Sequence, residues 1–183
     1  MGSYYYLMAQ LPYLIYEQKP PMPSSEFKDL AKSLMVPNDA AFLDKLSISG
    51  SAEKTGCDFI DKWQEWDHIL RLNLAKQRVI KLKLEKPVTE PNAVHLDAAA
   101  AASKAVDETS PLDAEIMLDK ARWHAIEELA GTDYFHRNTV YAYYLKLLLL
   151  ERRQVFNTEK GFAEYKSLYA SIVDSAQKAG DSV

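Results

Sequence analysis

Cysteine is almost absent from this chain. One thiol, Cys57, in 183 residues excludes an internal disulfide framework and fits a reducing compartment. Glycine is equally scarce at six residues, and Gly161 stands alone in Thr158-Glu159-Lys160-Gly161. No glycine-rich loop is therefore available to cradle a phosphate. Long apolar runs are missing too: the longest, Leu147 to Leu150, falls far short of the ~20 residues that a membrane span needs. Tyr4 to Ala9 are followed too soon by Gln10 and Pro12 for a secretory signal. Nor is there an excess of positive charge. The 22 Lys and Arg are dispersed among 26 Asp and Glu, for a net charge of -4, whereas nucleic-acid binding needs clustered cations that displace counterions. These absences predict a cytoplasmic protein with no nucleic-acid partner, whose contact with a membrane, if it makes one, is through something else.

What is present favours helices. Hydrophobic residues make up 48% and charged residues 26% of the chain, enough apolar material for one domain with a real core. Residues 4–11 form a brief apolar run that could be helix or strand. Pro12, Pro20, Pro21 and Pro23 then make an extended connection, which with its many tyrosines is expected to pack on the helices. Ser24 or Ser25 is expected to cap a helix over about 25–35, with Phe27, Leu30, Ala31 and Leu34 on one stripe. Pro37-Asn38-Asp39 opens a second, short one, and residues 47–56 read as a loop.

From Asp58 a long helix carries Phe59, Trp63, Trp66, Leu70 and Leu74 and ends near residues 82–84, before Pro87 and Pro91. Ala98 to Ala102 predicts a helix over about 94–106, because alanine is the strongest helix former. Ser110-Pro111 is a cap followed by proline at the first helical position, and Gly131 is a C-terminal stop. Another long helix is predicted over 133–156. A last one, from Asn157 or Thr158, would carry Phe162, Tyr165, Leu168, Tyr169 and Ile172 at helical spacing. The fold class expected is an all-α bundle.

The sequence also resembles itself at an offset of 75 residues. Leu43-Asp44-Lys45 recurs as Leu118-Asp119-Lys120, and Asp58-Phe59-Ile60 as Asp133-Tyr134-Phe135. Trp66 faces Tyr141, Leu70-Arg71-Leu72 faces Leu145-Lys146-Leu147, and Arg78 faces Arg153. This predicts two pseudo-repeats, 38–84 and 112–156, each a short helix, a turn and a long helix, followed by a C-terminal helix.

The long-helix segments Trp66 to Arg78 and Tyr141 to Arg153 resemble the long helices of the central-stalk subunit of V-type rotary ATPases, called C in archaea and bacteria and d in eukaryotes. That subunit is an all-helical funnel of repeated subdomains. The opening Tyr4-Tyr5-Tyr6-Leu7 to Leu11-Pro12, followed by Lys19-Pro20-Pro21, is similar to a family of short bacterial proteins encoded beside V-type ATPase subunits. The resemblance implies a non-catalytic coupling subunit between rotor ring and axle, with no cofactor. Its partners would be other stalk and rotor subunits, and it would sit peripherally at the membrane through the complex.

Site chemistry offers one alternative. Glu65-Trp66-Asp67-His68 and Asp133-Tyr134-Phe135-His136 are acid-x-x-His pairs, whose spacing puts both ligands on one helix face as in di-iron bundles. Under that reading Glu65, His68, Asp133 and His136 hold metal, with Glu115, Glu127 or Glu151 completing the site. The interface of a coupling subunit is expected at Tyr143 and Tyr144 and at the basic helix ends, Arg78, Arg152 and Arg153. Tyr141, Tyr143 and Tyr144 cannot all point to one side of a helix, so at least one is expected to face outward.

Overall fold

A computed structural model describes residues 3–49, 54–85, 89, 93–156, 166–169 and 172. Those residues are helical or irregular, with no strand among them. They fall into two units, 1–151 and 152–183.

The first unit holds the core. Helix α1 spans Tyr5–Gln10, α2 Ser24–Leu34 and α3 Pro37–Phe42, the last running into a 3-10 turn, Leu43–Lys45. Helix α4 is Asp58–Lys81, α5 Leu96–Asp107, α6 Pro111–Ala130 and α7 Arg137–Val155. Of the expected caps, Ser110 operates, whereas neither Ser24 nor Ser25 caps α2, which has Pro23 at that position and no side-chain cap bond. Ser110 accepts a hydrogen bond from the Asp113 amide at the head of α6, satisfying one of the free N–H groups of its first turn. Gly131 ends α6 at φ +75°, ψ -164°, a combination essentially confined to glycine.

Helices α4 and α5 run the same way. The Trp66 indole donates to Asp97 at the start of α5 (2.6 Å), and Lys81 at the end of α4 reaches the Val106 carbonyl at the end of α5. The alanine run supplies the contact face: Ala98, Ala101, Ala102 and Ala105 are buried, and side chains this small let two backbones approach closely.

Helix α7 is central. Six consecutive residues, Val140 to Leu145, are buried, more than one face of a helix can account for. The covering comes from the chain's beginning. Tyr143 donates to the Pro12 carbonyl (2.9 Å), Tyr16 donates to the Ile116 carbonyl on α6 (3.1 Å) and its ring meets Trp123, and Glu151 accepts from both the amide and the hydroxyl of Ser24 (2.6 and 2.7 Å). Residues 11–23 are thus a strap lying along the α6–α7 hairpin. At its end the Glu151 carboxylate caps the positive N-terminus of α2. Phe27 of α2 then packs on the rings of both Tyr143 and Tyr144.

The expectation that one of Tyr141, Tyr143 and Tyr144 faces outward is corrected by this wrapping, since all three are buried. The predicted repeat is also unequal in structure. In the first copy nine residues of short helix and 3-10 turn precede a connection over 46–57, whereas the second has the 20-residue α6 and a tight turn over 131–136. Asp44 lies on the surface, but its counterpart Asp119 is buried. Tyr134 and Phe135, matched to buried Phe59 and Ile60, are exposed because the chain here turns rather than continuing as helix.

Most of the predicted last helix lies outside the described residues, Phe162 and Tyr165 included. Residues 166–169 are helical, and Leu168, Tyr169 and Ile172 are exposed. Arg152 lies over the Phe156 ring at 5.5 Å. No helix of the described residues is long and apolar enough to cross a membrane.

Candidate functional site

The two acid-x-x-His pairs are used locally. Glu65 and His68 lie on the exposed side of α4. Asp133 accepts from the Phe135 amide (3.0 Å), and the His136 Nδ1 accepts from the Asn138 amide (3.3 Å), so both stabilise the turn into α7. Among the described residues no three His, Cys, Asp or Glu side chains gather in a way that could hold a metal. The further carboxylates have other work as well. Glu151 caps α2, and Glu127 binds Lys146 and the Trp123 indole.

Between Glu65 and His68 sits the residue that does point inward. Asp67 is wholly buried on α4 and accepts from the Arg122 Nε at 3.1 Å, while Arg122 Nη1 also donates to Asp119 at 2.8 Å. The other Asp67 oxygen meets Arg71 as an ion pair without an aligned N–H···O bond. Two carboxylates and two guanidinium groups make this cluster neutral, which is what allows such charges inside a protein. It ties α4 to α6. Its buried members, Asp67, Asp119 and Arg122, are closed to a substrate, and Arg71 lies at the surface.

A second cluster fixes the N-terminus. Tyr4 donates to Asp39 (2.5 Å), Arg137 donates to the other Asp39 oxygen (3.0 Å), and Tyr141 donates to the Asp39 carbonyl (2.9 Å). Burial would raise the Asp39 pKa, but the bonds from Tyr4 and Arg137 outweigh it and hold the carboxyl below its ordinary range. Burial, together with the bond to Asp39, pushes Tyr4 up to about 12.

These anchors position the most exposed aromatic surface described in the first unit. Tyr4 also donates its amide to the Phe135 carbonyl (2.8 Å), which docks α1 on the α6–α7 turn. That leaves Tyr5 packed on Phe135 (5.0 Å between ring centres) and on Tyr6 (5.9 Å). Tyr6, Tyr13 and Tyr134 are each more than three-quarters exposed. Beside them opens a cavity of about 450 Å³ between α1, the start of the strap, the end of α6 and α7. Met8, Leu11, Leu14, Ala130 and Ala142 supply apolar wall, and Tyr13 and Tyr134 also line it. Its polar side is a closed pair: Lys146 donates to Glu127 (2.8 Å) and lies 4.6 Å from the Trp123 ring centre. Burial would raise the Glu127 pKa, but the Lys146 bond and charge outweigh it and lower it.

The structure brings these aromatics together where the sequence reading pointed elsewhere. Tyr143 and Tyr144 are inside, Arg78 is exposed near the end of α4, and Arg152 and Arg153 are half-buried at the end of α7. A signal for this exposed aromatic group was available: residues 3–16 contain no charged side chain, yet Tyr5, Tyr6 and Tyr13 do not enter the core.

One family model matches the chain, over residues 103–176: that of DUF2764, a family described as protein of unknown function. The matched stretch holds α6, α7 and the turn bearing Tyr134 and Phe135, but not the α1 half of the aromatic surface. No curated protein and no solved structure matches.

Proposed function

We propose that this chain is a non-catalytic coupling protein that acts by docking other proteins, and that it serves in the central stalk of a V-type ATPase, between rotor ring and axle. The observation that carries the docking reading is the contiguous aromatic surface of Tyr5, Tyr6, Tyr13, Tyr134 and Phe135. Monomeric proteins rarely expose so many large rings together without a partner, and tyrosine is enriched where proteins meet. The surface rests on rigid supports, with Tyr4 and Asp39 beneath it. The stalk assignment is supported by the resemblance of Trp66–Arg78 and Tyr141–Arg153 to the stalk subunit's long helices and by the Tyr-rich opening. A neutral buried cluster joining α4 to α6 suits a part that must transmit force without deforming.

The test is affinity capture of the tagged protein from its native membranes, with mass spectrometry and metal analysis of the eluate. The expected result is recovery of V-type ATPase rotor and axle subunits without stoichiometric metal. Stoichiometric iron or zinc with no ATPase subunit would overturn the proposal.

A further inference from the structure

We infer that the aromatic surface around the 450 Å³ cavity receives a basic segment of a partner protein, an apolar side chain entering the cavity and flanking lysines or arginines lying over the exposed tyrosines. This deepens the docking reading and rests on it.

The argument is charge complementarity. The α1 side of the surface, residues 3–16, carries no formal charge. On the α6–α7 side the cations are already committed: Arg137 is bound to Asp39 and Lys146 to Glu127. Among the described residues two exposed carboxylates here have no cation, Glu128 in the last turn of α6 and Asp133 in the following turn. The surface therefore combines an excess of two negative charges with the faces of exposed tyrosines, and both attract cations. An aromatic face attracts a lysine or arginine head through the quadrupole of its ring.

The molecule contains the same arrangement within its own fold, with Lys146 half-buried and Glu127 exposed. Lys146 lies between the Trp123 ring and the Glu127 carboxylate at the inner side of this cavity. A partner's basic side chain over Tyr13 or Tyr134, beside Asp133, would repeat that arrangement at the mouth. The cavity's apolar walls suit the hydrophobic residue between two such cations, whereas an acidic segment would meet uncompensated carboxylates.

The experiment is fluorescence anisotropy of the full chain with a capped hexapeptide, Leu-Phe flanked by two lysines on each side, and with its glutamate-flanked counterpart. The basic peptide should bind and the acidic one should not. The double variant Glu128→Gln/Asp133→Asn should weaken the basic peptide about twofold to thirtyfold, two exposed ion pairs being worth about 0.2–1 kcal/mol each, and Tyr134→Ala should weaken it within the same range. The control Glu26→Gln/Glu65→Gln removes the same charge from exposed positions on α2 and α4 and should leave binding unchanged. Equal binding of both peptides, or equal weakening by the control, overturns the inference. Capture of native partners separates it from the reading beneath. Loss of capture in Tyr5→Ala/Tyr134→Ala but not in the charge-neutral variant retains the docking surface and refutes the basic partner. Retention in both refutes both.

Discussion

The two long helices α4 and α7 share a sequence pattern yet are used in opposite ways. Helix α4 buries one side, keeps Glu65, His68, Arg71 and Arg78 at the surface, and sends one charge, Asp67, into the interior. Helix α7 is covered on every side through Val140–Leu145, and the hydroxyls of its buried Tyr141 and Tyr143 find backbone carbonyls. The difference lies outside both helices. The first helix has neighbours on one side, and the second is additionally wrapped by a strap from the start of the chain. Phase-preserving similarity between two helices thus predicts their shared inner face and says nothing about what covers the other.

The sharpest break of this comparison is at the charge inside α4's contact with α6. Arg122→Ala should destabilise the protein by about 3–5 kcal/mol, because it leaves Asp67 and Asp119 buried without their shared cation, and urea unfolding should show it. Arg71→Ala, which removes only the half-exposed partner, should cost far less. On the α7 side, Phe27→Ala should cost about 3–5 kcal/mol, since Phe27 is fully buried against Tyr143 and Tyr144. A loss below 1 kcal/mol would mean that the wrapping contributes little.

Acid and alkali both probe the α7 side, where Asp39 is bound by Arg137 and Tyr141. The Asp39 carboxyl has a lowered pKa in the folded protein, so its contribution is present above the unfolded value of about 3.9 and is lost as pH falls through the folded one. Asp39→Asn should therefore flatten the acid limb of a stability profile. Burial raises Tyr143 to about 12, as it does Tyr4. Stability from keeping these phenols neutral is intact below about pH 10 and declines as pH rises toward 12. Phenolate absorbance from Tyr143 should accordingly appear together with unfolding, and Tyr143→Phe should move that transition to higher pH.

A smaller effect is expected at Gly131→Ala. A Cβ there meets nothing within 4 Å, so only the backbone conformation is penalised, by about 1–3 kcal/mol. The smallest is His68→Ala on the open side of α4, expected within about 0.5 kcal/mol of the parent and with no change in metal content by mass spectrometry.

Much of the fold was legible because its signals are local. The Ser110-Pro111 start, the Gly131 stop and the alanine run each act within a few residues, and α2, α4, α5 and α6 lie close to where those signals place them. Helix α7 begins at Arg137 rather than Asp133 because the Asp133 side chain binds the Phe135 amide and turns the chain. The site was less legible. Asp67 and Arg122 are 55 residues apart, and nothing in Trp66-Asp67-His68 distinguishes the acid that turns inward from Glu65, which does not. The outward placement of Tyr143 and Tyr144 failed for the same reason: their cover, Pro12 and Phe27, is more than a hundred residues away.

The strap itself has a consequence for how much change this chain tolerates. Its ends are fastened to α7 at Tyr143 and Glu151, eight residues apart on one helix, a distance of about 12 Å. The twelve residue-to-residue steps from Pro12 to Ser24 could reach about 40 Å if drawn out. A third hold, Tyr16 on α6, divides that length, so the slack lies between Tyr16 and Ser24. Insertions or deletions over residues 17–22 should be absorbed as changes in the depth of a surface loop, while a fastening, once lost, frees the stretch beside it. A sequence drifting under selection could rewrite the middle of this segment freely and still keep its hold on α7.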